Sequence, residues 1–413
     1  MKRIAPLCMA LALAAGVAST AQAQLTMQMT NGWSFTFSGN VNAFFTYEKP
    51  SSNTNTITPG GIVGPQGASA DGASRIRTGL LPAFAVFDAK GKEGNTDLGV
   101  HFGFAPQVNC AAGVHDCFGA QIDMRQVYLT VGGTWGQILA GRELGLYGRE
   151  NILTDQTLFG IGATGGSATG TGAGTTLGRI GFGYIYPNFV AQMTYSTPAG
   201  RPGQLSIGLF EAAANGVYTK TETPRVETEL TYNIGKSMVW LGGLVQNTKI
   251  PGGASGSATA WGGSGGVRLS SAGFGLVGSG YYGKGLGTTL LFDGTGVTGT
   301  GGTDGGTDGS GSLRRSYGFI GQITYSPPSS KVTIAGSYGS SYLKTSSDEE
   351  AAAGGTSSHT ENTLISGGLY YQATKSLKVV AEGNYAWTKA SPTVAGVVKN
   401  KTFAPALGFM LFF

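Results

Sequence analysis

Charge is the scarcest property of this 413-residue chain: Lys, Arg, Asp and Glu together make up 12% of it, about half the quarter typical of soluble domains. That leaves too little to coat a solvated surface. The net charge of +5 is mild and unclustered, which argues against nucleic acid, where a concentrated basic face is needed. Histidine occurs three times, at His101, His115 and His359. No Ser/His/Asp set or other marked base is legible, so nothing supports an enzyme, a cofactor or a catalytic residue. No Gly-Lys-Ser/Thr follows the glycine runs, which excludes a phosphate cradle. Beyond the first 20 or so residues no apolar run reaches the ~18 residues of a membrane-spanning helix.

Cysteine is nearly absent too. Cys8 lies in a leader-like start: Lys2 and Arg3, an apolar stretch from Ile4 to Val17, and Ala21-Gln22-Ala23 as a small-x-small cleavage site. Residues 1–23 therefore read as a secretory signal, removed to leave a mature chain of 24–413. Without Lys2 and Arg3, 25 basic residues face 22 acids, a net charge of +3. Cys110 and Cys117 remain, seven residues apart in a polar segment of an exported chain, and a loop-closing disulfide is the first reading. A metal site with His115, on only three candidate ligands, or free thiols are the alternatives; no metal is assigned.

Glycine is abundant, at 72 residues, and mean hydropathy is neutral. Period-two alternation recurs. In Trp33–Tyr47, Trp33, Phe35, Phe37, Val41, Ala43, Phe45 and Tyr47 share one face; Ser34, Thr36, Ser38, Asn40, Asn42 and Thr46 share the other, with Phe44 the exception. Val226, Thr228, Leu230 and Tyr232 oppose Glu227, Glu229, Thr231 and Asn233, and Leu377, Val379, Ala381, Tyr385 and Trp387 oppose Lys378, Glu382, Asn384 and Thr388. Strands with one apolar and one polar face, in a chain this poor in charge, fit a wall between lipid and water. A watery lumen would hold paired carboxylates that an apolar core could not. About sixteen strands can be counted, with very short turns alternating with long polar loops. The fold class is all-β, a transmembrane antiparallel β-barrel. Tyr47, Tyr232, Tyr325, Tyr385 and Trp387 sit near strand ends, where interfacial girdles belong.

One segment departs from this rhythm. RQVYLTVGG, from Arg125, turns at Thr134-Trp135 into GQILAGRE and then opens into several dozen residues without strand pattern. A connection that long is out of place in a compact domain unless it folds into something hollow. Arg75 and Arg77 are two apart, so both occupy one strand face, and only a wet face holds both. The last strand places Phe403, Pro405, Leu407, Phe409, Leu411 and the terminal Phe413 on one face.

The first strand ending in aromatics, the Arg125–Glu143 hairpin running into the long loop, and the terminal Phe413 strand together resemble the trimeric Gram-negative outer-membrane porins, of the OmpC-like general diffusion type. The resemblance implies a third external loop, residues 142–188, folded inward as a constriction, with Phe413 as the closing and insertion signal. It implies a pore lined by Arg75, Arg77, Arg125 and Arg142 on the wall, facing Glu143, Glu150 and Asp155, with Tyr147 beside them. The loop's Pro-Glu-Phe-Gly-Gly tip is missing here, with TLFGIG in its place. It further implies a homotrimer in the outer membrane, in contact with outer-membrane lipid and lipopolysaccharide, that passes ions and small hydrophilic solutes by diffusion. A porin selective for organic anions or oligosaccharides, or an outer-membrane adhesin, are the alternatives.

Overall fold

The alternation at the start of the chain becomes a strand whose two faces live in different worlds. Val41 and Phe45 are 51% and 52% exposed, whereas Asn42 and Thr46, on the opposite face, are 1% and 0% exposed. The same division runs around the whole molecule. The computed structural model describes residues 25–30, 32–51, 57, 59–63, 72–108, 122–164, 175–212, 223–249, 257–289, 291–292, 305–308, 311–391 and 399–413. The signal segment 1–23 and both Cys110 and Cys117 lie outside the described residues.

The strands are β1 (Leu25–Gln28), β2 (Ser34–Pro50), β3 (Ala73–Arg77), β4 (Phe84–Glu93), β5 (Thr96–Pro106), β6 (Ile122–Gly133), β7 (Gly136–Leu144), β8 (Phe189–Ser196) and β9 (Gly203–Phe210). They continue as β10 (Arg225–Ile234), β11 (Ser237–Lys249), β12 (Ser257–Ser271), β13 (Phe274–Lys284), β14 (Arg315–Tyr325), β15 (Val332–Lys344), β16 (His359–Gln372), β17 (Leu377–Ser391) and β18 (Lys399–Phe412). Every pairing is antiparallel, and β18 returns to β2, closing the sheet on itself. On one edge β2 pairs with β18 and then β1; on the other it pairs with β4 and then β3. Counting β3 and β4 as one wall position, and β1 as a stub continuing β18, gives sixteen strands in a closed barrel. Closure removes sheet edges, which is what allows strands to stand in lipid.

Phe413 seals the seam. Its backbone N–H and carbonyl both bond to Gly39, and its ring packs 5.3 Å from Phe37. Leu407, Phe409 and Leu411 face outward with Val41 and Phe45 across the ladder. Short turns and long connections alternate strictly, so all short turns collect at one rim and all long loops at the other.

Two features differ from the expected wall. The run Ser74–Phe87, continuous in pattern, is interrupted: residues 78–83 leave the ladder and dip inward. Asn42 Nδ2 donates to the Leu81 carbonyl (2.9 Å), Asn40 Nδ2 to that of Pro82 (3.2 Å), and Gly79 N to Asn42 Oδ1 (2.9 Å), so polar side chains of β2 replace the missing ladder bonds. The second difference is inside. The lumen near the long loop is not a plain water column: Phe44, Leu80, Leu158, Ile161, Tyr184 and Met410 belong to a buried apolar cluster between wall and loop. Phe44, the exception in the alternation, is one of its centres.

Candidate functional site

β7 ends at Leu144, and β8 resumes at Phe189; of the chain between them, residues 145–164 and 175–188 lie in the barrel interior. Gly148, with φ of 79°, turns the chain into a short helix α1 (Arg149–Thr154), followed by a 3₁₀ turn at Gln156–Phe159. Such a loop carries backbone donors that must be satisfied away from water, and the wall supplies acceptors. Glu227 Oε2 on β10 accepts from Leu146 N (2.8 Å) and Tyr147 N (2.9 Å). Glu382 Oε2 on β17 accepts from Ile161 N (2.8 Å) and Gly162 N (3.1 Å). A Cβ at position 160 would push the Glu382 carboxylate out of this clasp, so the glycine leaves room for it.

Side-chain bonds fill the space between these two clasps. Trp240 Nε1 on β11 donates to Asn151 Oδ1 (2.8 Å), and Gln322 on β14 both accepts from Gln156 N (2.7 Å) and donates to the Thr154 carbonyl (3.0 Å). Gly183 N donates to Ser341 Oγ on β15 (2.9 Å). Arg179, fully buried, donates to the Leu364 carbonyl on β16 (3.0 Å) and to Ser337 Oγ on β15. Residues 145–164 and 175–188 thus hold on to walls on opposite sides of the ring.

The expected site residues fall into three groups. Arg75 and Arg77 share the inward face, with Ile76 between them exposed outside. Arg77 lies 4.0 Å from Glu48 on the neighbouring strand, and its Nη2 donates to the Thr175 carbonyl of the loop (3.1 Å). Arg125 is skipped in the β5–β6 register, a bulge that admits an extra residue. Its Nε donates to Asp123 Oδ2 (2.9 Å), and its guanidinium lies 5.8 Å from the centre of the Phe189 ring. Tyr147 is buried and donates to the Gly263 carbonyl on β12 (3.3 Å).

The acidic residues are inside but do not form an open face. Glu143 accepts from Gln126 Nε2 and Leu144 N, each at 2.7 Å. Asp155 is knotted into the loop itself, accepting from Thr157 N and Oγ1 and from Tyr184 OH (2.9, 2.7 and 2.9 Å), with Arg179 at 3.9 Å. Burial raises its carboxyl above the usual range, with Arg179 the main opposing influence. Glu150 is pushed up to about 7, by burial first and by the Glu229 carboxylate second.

One expectation needs correction. Arg142 is exposed on the outer face: inward residues of β7 are Leu139 and Glu143, so Arg142 shares the outward parity of Ile138. A Gly-Arg match to a family pattern does not fix which face the arginine takes. The loop is held by contacts of another kind. Much of the acid is on the wall, in Glu227, Glu229 and Glu382, and the loop brings Arg149 to Glu229 and backbone N–H groups to the other two. Arg225–Glu227 (2.8 Å) pairs within one strand.

Glu227, Glu229 and Glu382 were on the polar face by period two, but nothing local assigns them a loop to hold. The available signal was Arg225, Glu227 and Glu229, three charges on one strand face in a chain that has few.

A family profile described as Gram-negative porin matches residues 10–393. Among solved structures, the outer membrane channel DcaP of Acinetobacter baumannii is similar, with a TM-score of 0.65 at 16% identity, covering 94% of this chain and 99% of that one. An anion-selective porin from Comamonas acidovorans matches at a TM-score of 0.60 and 13% identity, over 92% and 100% of the two chains. The trimer form of OmpT from Vibrio cholerae matches at 0.55 and 13%, again over 92% and 100%. No curated protein matches.

Proposed function

Since the chain belongs to the Gram-negative porin family, whose members are outer-membrane channels, we propose that it is a passive diffusion channel for ions and small hydrophilic solutes. The observation that carries this is a closed, two-faced barrel whose own long loop is clasped across its interior. Such a loop sets the size limit, while fixed charges bias which ions pass. Residues 1–23 serve as the export signal, 24–413 form one barrel domain, and 142–188 narrow it. Three copies assemble in the outer membrane, a reading supported by the trimeric OmpT neighbour.

Wall cations and acids near the loop are largely paired with one another: Arg77 with Glu48, Arg125 with Asp123, Arg225 with Glu227. Paired charges leave a weak net field, so selectivity is slight. A second reading, preference for organic anions, is favoured by Lys378. Its ammonium stands 3.7 Å from the centre of the loop's Phe159 ring, with no carboxylate in salt-bridge range among the described residues.

Planar-bilayer recording tests both. Open channels should appear in steps of three, with reversal potentials in a KCl gradient near zero or slightly toward anions. Strong cation selectivity, or no conductance, would overturn the reading. Under the second reading, Lys378→Gln moves the reversal potential toward cations; an unmoved potential leaves only the general channel.

A further inference from the structure

Two further connections on the long-loop rim enter the barrel beside the crossing loop. The first joins β2 to β3. Its Ile62 N–H reaches Asn362 Oδ1 on β16 (3.1 Å) and Thr388 Oγ1 on β17 (3.2 Å), and its Val63 carbonyl accepts from Asn400 Nδ2 on β18 (3.0 Å). Ile62 and Val63 are buried with Phe182 of the crossing loop against Leu364 and Ala386 of the wall. The space between the crossing loop and β16–β18 is therefore filled.

The second connection joins β13 to β14 and fills another sector. Its Leu286 and Phe292, both fully buried, pack with Tyr147 and Ile185 of the crossing loop against Leu244 of β11 and Tyr281 of β13. The Thr289 carbonyl accepts from Tyr186 N (2.7 Å). The Phe292 ring centre lies 5.6 Å from the Arg225 guanidinium, so the cation that neutralises Glu227 is covered by this connection. Its root is pinned: Gly285 N donates to the Arg314 carbonyl (2.9 Å), and Arg314 donates to the Gly305 carbonyl and to Glu349 Oε2 (each 3.0 Å). Both connections meet the crossing loop at Gly181, where a Cβ would overlap Ile62 Cδ1 and crowd Thr289 Cγ2.

We propose that the bore is set by these three segments together, and that the β13–β14 connection is a size-selecting element in its own right. Close-packed apolar side chains leave no path for water, so the sectors facing β11–β13 and β16–β18 carry no solute at this height. The crossing loop alone would leave both sectors open. What remains runs past Asp123 and Arg125 of β6, whose side chains are 49% and 16% exposed, well away from both filled sectors around the ring. One narrow path beside a charged pair passes ions and monosaccharide-sized solutes and rejects oligosaccharides. The proposal rests on the channel reading.

The test places the mature barrel in liposomes and measures swelling in arabinose, sucrose and raffinose, with planar-bilayer conductance in parallel. The double variant Leu286→Ala, Phe292→Ala is compared with the parent, and the single variant Phe292→Ala serves should the double fail to fold. The parent should admit arabinose and hold back raffinose. In the double variant raffinose entry should rise about threefold or more, and conductance should rise with it, because the sector at β11–β13 opens. Ile62→Ala, in the other connection, should shift both in the same direction by less. Raffinose entering the parent as fast as arabinose, or a size cut-off unchanged in folded variants that still conduct, would overturn the proposal and leave the channel reading standing. Parent and folded variants that neither conduct nor swell would remove the channel reading, and this proposal with it.

Discussion

Glu227 and Glu382 perform the same task from opposite sides of the ring but are neutralised differently. Each takes two successive backbone N–H groups of the crossing loop on one carboxylate oxygen. Glu227 has a guanidinium beside it, Arg225 Nε at 2.8 Å on the same strand. Glu382 has neutral partners, the Tyr370 hydroxyl at 2.5 Å and Asn384 Nδ2 at 3.3 Å. The first limb of the loop is therefore held by a carboxylate within an ion pair, and the second by one within a hydrogen-bond network. In a buried site these fail differently: an ion pair that loses one member leaves the other charge stranded, whereas a network loses bonds one at a time.

The largest expected effect follows from that difference. Glu227→Ala releases Leu146 and Tyr147 and strands the buried Arg225, at a cost of about 3–5 kcal/mol. Glu382→Gln keeps an acceptor oxygen and loses only the charge assistance, about 1–2 kcal/mol. Thermal unfolding of the detergent-solubilised barrel ranks the two, and single-channel noise reports which limb has loosened. Replacing Arg225 and Glu227 together by leucine should recover part of the first loss. A larger cost for Glu382→Gln than for Glu227→Ala would show that neutralisation by Arg225 contributes little.

The same contrast explains how much could be read from the chain alone. The outer face was legible, because lipid selects every second residue, and Val41, Phe45, Leu230 and Leu407 obey that rule without help from elsewhere. The strand number and the strict turn–loop alternation followed from it. The break at 78–83 was not legible, since its replacement acceptor and donors are Asn40 and Asn42 on another strand. The clasps were less legible still: Glu382 and Gly162 are 220 positions apart, and alternation says only that the glutamate faces inward. Arg142 shows the opposite limit, where a family pattern suggested an inward role that strand parity denies.

A smaller effect separates the bulged arginine from the outward one. Arg125 is partly exposed on the interior side beside Asp123, whereas Arg142 faces outward from the barrel. Arg125→Ala leaves Asp123 without its partner, which should shift the reversal potential in a KCl gradient toward cations. The shift should shrink in concentrated salt, as the screening length falls from about 10 Å at 0.1 M to about 3 Å at 1 M. Arg142→Ala should leave both conductance and reversal potential unchanged. A shift in the Arg142 variant comparable to that of Arg125 would mean that the outward charge is felt by permeating ions, and the division into two faces would need revising.

The smallest effect concerns pH and belongs to the first limb. Glu150, in α1, has its carboxyl raised from its ordinary 4.5 to about 7, because it is buried and close to Glu229. A carboxyl raised by folding is held protonated where the released loop would give up the proton. Between pH 4.5 and about 7 the clasped state therefore binds more protons than the open one, and its stability falls as pH rises through that window. Asp155, on the second limb, is also raised by burial and adds a slope of the same sign. Glu150→Gln is neutral throughout and removes only the Glu150 share. Unfolding midpoints at pH 5 and pH 8 should differ less in that variant than in the parent, with the variant the more stable of the two at pH 8. Identical pH dependence in both would mean that Arg149, which Glu150 shares with Glu229, keeps the carboxylate ionised across the range, and the first limb would then be held by a charged triad rather than by a pair with a protonated neighbour.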